Sequence, residues 1–124
     1  ARFSVRRVLL ASFVLAAVRW LLLGNLAAEP SVLGGAQVLH AATFGCFHAA
    51  SIAFVQASFG ARQQGQGQAL DAALSGTGGA LGALYAGYSW NMLGPGLTFG
   101  MASAAALAAA VMMAFYSQPN RTLR

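Results

Sequence analysis

The chain has 124 residues, of which 58% are hydrophobic and 7% are charged, and its formal net charge is +5. A soluble domain carries about 25% charged residues. With only two acids and seven arginines, this chain cannot form an extensive water-facing surface, and lipid is the expected solvent. The arginines are scattered between apolar blocks with no basic stripe, which argues against a nucleic-acid partner.

A membrane-spanning helix needs roughly 20 mostly apolar residues. Four stretches meet this requirement: residues 8–28, 32–58, 69–93 and 97–116. Segments that contain proline or several glycines separate them, and such segments end helices. The apolar runs are too long for strands and show no sustained alternation. The sequence therefore predicts an all-α fold, an integral membrane bundle of four transmembrane helices.

The arginines predict how the helices are oriented in the membrane. Six of the seven fall before the first span, between the second and third, or after the fourth: Arg2, Arg6, Arg7, Arg62, Arg121 and Arg124. With four spans these regions lie on one side, and positively charged loops are cytoplasmic. We therefore expect a multi-pass protein of the cell (inner) membrane with both ends of the chain in the cytoplasm.

The seventh arginine, Arg19, lies near the middle of the first span. A central arginine costs about 2.5–3.5 kcal/mol on insertion scales, which the apolar residues of the span offset at about 0.3–0.6 kcal/mol each. Arginines at this depth usually face a bundle interior or an aqueous cavity and mark a solute or ion pathway. The alternative is a structural cation that binds a carbonyl or reaches an interface.

The second span carries two histidines, His40 and His48, about 80° apart around the helix. Because this span runs antiparallel to the first, both histidines lie near the depth of Arg19. A histidine there can bind a solute or relay a proton, or it can be a neutral core residue. Gln37 lies one turn from His40 and is predicted to line the same face. These residues and Arg19 are the candidate substrate or proton pathway.

The third span is rich in small residues at four-residue intervals, a pattern typical of close helix packing in membranes. We predict helix packing at Gly78, Gly79, Gly82, Ala83 and Gly87. The same pattern also has a more specific interpretation, in which this glycine-lined helix flexes during transport.

Enzyme chemistry is not indicated. The sequence has no Ser/His/Asp set, no paired carboxylates and no phosphate-binding glycine loop. Two histidines on one helix are unsuited to a haem and lack a third ligand for zinc, so we expect no metal and no cofactor.

Three pieces of the chain resemble the C-terminal end of major facilitator superfamily transporters. They are residues 17–20 around Arg19, residues 37–49 around His40 and His48, and residues 67–70 followed by the glycines of 76–87. The pieces are most similar to the branch that contains lactose permease, nucleoside–proton symporters and the phenylpropionate transporter.

This resemblance implies that residues 1–124 are the C-terminal part of a transporter domain, helices nine to twelve of a twelve-helix fold whose N-terminal helices are missing. In lactose permease-like members an arginine, a histidine and an acid three residues after the histidine couple transport to protons. Arg19 and His40 match the first two, but the third position is Thr43. The implied function is secondary active transport of a small solute by alternating access, with protons as the coupling ion.

A different class of protein is also compatible with four spans: a complete four-helix channel, exporter or structural membrane anchor. A small multidrug exporter normally needs a carboxylate within the membrane, and no span has one at mid-depth. A haem or quinone anchor would place histidines on two helices. In a purely structural subunit Arg19 would face no cavity.

Overall fold

The computed structural model describes residues 4–116, and in that range the chain is helical apart from short connections. The helices are α1 (Val5–Leu26), α2 (Pro30–Ser58) and α3 (Gln64–Phe115), with a short 3-10 helix at Ala61–Gln63 before α3. No strand occurs among the described residues, which agrees with the predicted all-α class. Arg121 and Arg124 lie outside this range.

The predicted count of four helices is wrong as stated, because α3 continues through residues 91–96, where we predicted a break between the third and fourth spans. Within α3 the one residue with non-helical backbone angles is Gly94, at φ 76° and ψ 170°. Pro95 follows directly and fits the first turn of a helix, where its missing N–H has no partner to lose. We call residues 64–93 the first arm of α3 and residues 95–115 the second arm.

The two arms of α3 fold back on each other at Gly94. The hydroxyls of Ser89 and Thr98 lie 3.0 Å apart, although nine residues of straight helix span about 13.5 Å. The rings of Trp90 and Phe99 are 5.8 Å apart, centroid to centroid, in an edge-to-face contact. A straight α3 would also be about 78 Å long, more than twice the roughly 30 Å of a bilayer core.

The second arm of α3 packs antiparallel against α1. Arg6 donates to the carbonyl oxygens of Met113 and Ala114 at one end of the pair. Further along, the buried hydroxyl of Ser103 donates to the Ala17 carbonyl oxygen over 2.9 Å. The start of α1 therefore lies beside the end of α3.

The closest approach of this pair occurs near the bend. The ring of Phe99 stacks on Trp20 with centroids 5.4 Å apart. A Cβ added to Gly24 would lie 2.9 Å from the Phe99 Cβ and 3.4 Å from the Gly96 carbonyl oxygen. Glycine at position 24 therefore allows the two helices to approach closely, as small residues do in membrane bundles.

The connections at the two ends of α2 differ from those predicted. Pro30 occupies the first turn of α2, so the predicted break at residues 29–31 shifts to residues 27–29. The predicted loop at 60–67 is mostly helical, because the Gln64 side chain donates to the carbonyl oxygens of Gln56 and Phe59 at the end of α2. Gly67 then fits closely against Val55 and Phe59.

Three helices are long and apolar enough to cross a membrane: Val5–Leu26, Pro30–Ser58 and Ala61–Phe115. Their mean hydropathies are 1.9, 1.6 and 1.8. Large apolar side chains cover the outside of the bundle, including Leu84 and Phe115 at 72% and 84% exposure. Lipid is the solvent that such a surface requires.

We expect Gly94→Ala to destabilise the fold by about 1–3 kcal/mol, because only glycine tolerates that combination of φ and ψ. The free energy of unfolding, measured by denaturant titration in detergent micelles, tests this. Gly100→Ala is the matched control, since Gly100 is helical and a Cβ there meets no atom within 4 Å. Equal stability of the two variants would contradict a strained bend at Gly94.

We expect Gly24→Ala to cost about 1–3 kcal/mol, because the added methyl group forces α1 away from Phe99. Gly35→Ala, within α2 and open around its Cα, is expected to be neutral or slightly stabilising. The same denaturant titration compares them. A neutral Gly24→Ala would show that the α1 contact near the bend is looser than the structure indicates.

Candidate functional site

Arg19 is a buried arginine in the middle of α1. Its side chain is only 7% exposed, and its guanidinium carbon lies 3.9 Å from the centroid of the Trp20 ring. This distance is well within the range of a cation–π interaction, which strengthens when the pair is removed from water. The buried Nε atom of Arg19 has no hydrogen-bond partner among the described residues.

No carboxylate of residues 4–116 neutralises Arg19. The chain has two acids, Glu29 and Asp71. Glu29 is exposed between α1 and α2, about 15 Å along the chain direction from Arg19. Asp71 accepts a hydrogen bond of 2.8 Å from the Ser51 hydroxyl, near the turn that joins α2 to α3.

Arg19 and His40 line one cavity between α1 and α2, of about 180 Å³. We call it the Arg19 cavity. Its other lining residues are mainly aromatic or small: Ser12, Phe13, Ala16, Thr43, Phe44 and Phe47. The cavity therefore combines a fixed cation and a titratable ring with apolar walls, and it can hold a small anion or the polar end of a larger solute.

His40 is half-buried, and its ring nitrogens form no hydrogen bond with the described residues. Its ring contacts Phe44, with centroids 5.5 Å apart. Thr43, three residues later, is buried, and its hydroxyl donates to backbone carbonyl oxygens of the preceding turn, 2.8 Å from Leu39 and 3.2 Å from His40. The Thr43 hydroxyl is thus already occupied, whereas the His40 ring nitrogens have no hydrogen-bond partner among the described residues.

His48 and Gln37 do not line the Arg19 cavity. His48 is exposed, stacks on Phe44 at 4.1 Å between centroids, and its Nδ1 lies 3.0 Å from the Phe44 carbonyl oxygen. Gln37 is exposed on α2. The structure therefore brings together Arg19 and His40 and leaves the other two predicted pathway residues apart from them.

The small residues of the first arm are open within the described chain. A Cβ built on Gly78, Gly79, Gly82 or Gly87 would meet no atom within 4 Å. Gly82 and Ala83 border a larger groove of about 670 Å³, which we call the aromatic groove because Trp20, Tyr85 and Phe99 also line it. The predicted helix packing at these residues stays a prediction, since no described helix lies against them.

Several residues of the site were missed by sequence reasoning. Trp20 supports the Arg19 guanidinium, and the Tyr85 hydroxyl is buried without a hydrogen-bond partner in the described range. Phe13 and Phe47 close the Arg19 cavity with an edge-to-face contact of 5.5 Å between centroids. One signal was available for Trp20, its position next to the buried arginine. The others depend on which helices meet, and periodicity does not show that.

The model of the MFS_1 like family matches residues 1–101. The chain belongs to this family. It is therefore related to the membrane transporters of the major facilitator superfamily, as the three sequence pieces predicted. The match covers α1, α2, the first arm and the bend, and it includes both Arg19 and His40. No curated protein and no solved structure matches the chain.

Membership of the MFS_1 like family gives the Arg19 cavity a context. Transporters of this superfamily are built of membrane helices in repeats, and their binding sites lie near the middle of the bilayer. Arg19 is fourteen residues into α1, about 21 Å from the start of a helix about 33 Å long. The branch that contains lactose permease is not distinguished from other branches by the family match.

We expect Trp20→Ala to lower the free energy of unfolding by about 1–3 kcal/mol, because it removes both the ring under Arg19 and the stack on Phe99. Trp90→Ala is the matched control, since Trp90 is 48% exposed and contacts Phe99 only edge-on. Denaturant titration in micelles measures both. A larger loss from Trp90→Ala would show that the Trp20 contacts do not stabilise the buried arginine.

Proposed function

We propose that the chain is part of a secondary active transporter that moves a small solute across the membrane by alternating access, and that Arg19 and His40 form part of its solute and proton pathway. The observation that carries the proposal is the buried, unpaired charge of Arg19 in a cavity shared with His40.

The Arg19 charge requires an anionic partner. An unpaired charge in an apolar interior is costly, and charges in membranes pair with one another or face a water-filled pathway. Glu29 and Asp71 are both engaged elsewhere or distant. The partner is therefore either an anionic group of the solute or a carboxylate on another helix of the transporter.

His40 supplies the proton step of the proposal. A protonated His40 and Arg19 place two positive charges in one cavity, which favours binding of an anionic group. Loss of the proton leaves Arg19 alone with the anion and weakens the complex. Coupling arises if His40 is open to opposite sides of the membrane in the two conformations, as alternating access requires.

The remaining helices are proposed to come from the same transporter. The four passes of this chain, α1, α2 and the two arms, would be helices nine to twelve of a twelve-helix fold. The open small-residue face of the first arm suits packing against such helices, because small residues allow close approach. The superfamily is built from repeats of three helices, so four passes form one repeat and one further helix.

We further propose the inner membrane as the location, with both ends of the chain cytoplasmic. The start of α1 lies beside the end of α3, and Phe54 near the end of α2 contacts Tyr116 with ring centroids 5.5 Å apart. Arg6, Arg7 and Arg62 are thus gathered at one end of the bundle, and such an end is cytoplasmic under the positive-inside rule.

The test is uptake driven by a pH gradient in vesicles that contain the transporter carrying this chain, with aromatic acids, nucleosides and sugars as solutes. We expect Arg19→Ala to reduce uptake at least roughly thirtyfold, because removing one member of a buried charge pair costs 2 kcal/mol or more. His40→Ala is expected to abolish the dependence on the pH gradient.

Arg62→Gln is the matched control, since Arg62 is exposed in the 3-10 helix and far from the cavity. His48→Ala provides a second comparison, and its effect should be smaller than that of His40→Ala. Expression in the membrane is quantified for every variant. Full uptake with intact pH dependence in both the Arg19 and His40 variants would reduce these residues to packing roles and refute the proposed pathway.

A further inference from the structure

A second groove between α1 and α2 has a volume of about 400 Å³ and lies closer to the arginine-bearing end of the bundle. We call it the Arg7 groove. Its lining is almost wholly apolar apart from Arg7 at its mouth, and it includes Val8, Ala11, Leu15, Ala42 and Cys46. Ser12 and Thr43 border both this groove and the Arg19 cavity.

We propose that the Arg7 groove binds an anionic phospholipid, with the phosphate at Arg7 and one acyl chain along α1 and α2. The inference does not depend on the solute pathway. It rests on the membrane location, the charge at the mouth of the groove and the apolar lining below it.

The charge at the mouth is available to a lipid headgroup. Arg7 is exposed and lies in the first turn of α1, at the end of the span where headgroups lie. Its neighbour Arg6 is bound to carbonyl oxygens of the second arm, whereas the Arg7 guanidinium forms no hydrogen bond with the described residues. An arginine near the membrane surface attracts anionic lipids.

The dimensions of the groove suit one acyl chain. From Arg7 to Leu15 the groove follows α1 for about 12 Å. A groove of this length, with a volume of about 400 Å³, accommodates an extended hydrocarbon chain.

Cys46, the single cysteine of the chain, allows the groove to be probed chemically. Its thiol is exposed in the structure, and it lies on the α2 side of the groove. A lipid chain in the groove would cover it and slow its alkylation by a membrane-permeant maleimide.

The experiment places the full-length protein that carries this chain in nanodiscs with phosphatidylglycerol or phosphatidylcholine that carries a diazirine in one acyl chain. After irradiation, crosslinked residues are mapped by mass spectrometry, and Cys46 alkylation is measured in parallel with unlabelled lipids. We expect phosphatidylglycerol to crosslink to residues 8–15 and 42–46 more than phosphatidylcholine does, and to slow the alkylation of Cys46.

Variants separate a specific site from general attraction to the surface. Arg7→Gln should weaken the phosphatidylglycerol effect about fivefold, the expected contribution of one arginine near the membrane surface. Arg7→Lys should retain most of it, and Arg62→Gln should retain all of it. Circular dichroism confirms that each variant keeps its helical content.

Equal crosslinking by the two lipids, or a phosphatidylglycerol effect that survives Arg7→Gln, would overturn the proposal. The proposal would also be overturned if Cys46 resisted alkylation in both lipids while no lipid crosslinked to the groove. A protein segment or a second copy of the chain would then occupy the groove.

Discussion

The reversal of the chain at Gly94 is the constraint on which the rest of the structure depends. It returns the second arm of α3 to the face of α1, where Ser103 and Phe99 meet Ala17 and Trp20. Without that contact the Trp20 ring, which lies against the Arg19 guanidinium, would lose its stack on Phe99. Gly94, whose backbone conformation is restricted to glycine, thus supports a residue next to the buried charge on a different helix.

The Trp20 ring matters because it covers one face of the buried Arg19 guanidinium. Lipid offers no water to solvate a guanidinium, so the protein supplies substitutes. One face of the Arg19 guanidinium is covered by Trp20, while the Nε edge has no partner in the described chain. The group is therefore stabilised on one face and left unsatisfied at that edge. The partner of that edge is a group outside the described chain, either on the solute or on another helix of the proposed transporter.

Sequence reasoning predicted the all-α class, the membrane and the superfamily, because long apolar runs are local signals. Arg19 and His40 line one cavity, in keeping with their similar depth on two antiparallel helices, and their role in a pathway stays a prediction. Sequence reasoning was wrong at residues 60–67 and 91–96, where it predicted breaks between spans. The Gln64 side chain at the first place and the Gly94–Pro95 pair at the second keep the chain helical closer to each turn than the composition suggested. It also grouped His48 with His40. Their separation of about 80° around α2 does not show which neighbouring helix each side chain faces.

Arg19 and Arg7, two arginines without a charge partner among the described residues, have different physical requirements. Arg19 lacks a charge partner deep in the membrane, and only a carboxylate or an anionic solute can neutralise it there. Arg7 lacks a partner at the headgroup level, where lipid phosphates are abundant. Ser12 and Thr43 separate the two sites, and both side chains are buried, at 5% and 7% exposure. A lipid in the Arg7 groove would therefore contact the same two side chains that line the Arg19 cavity, and the two proposed sites share one wall.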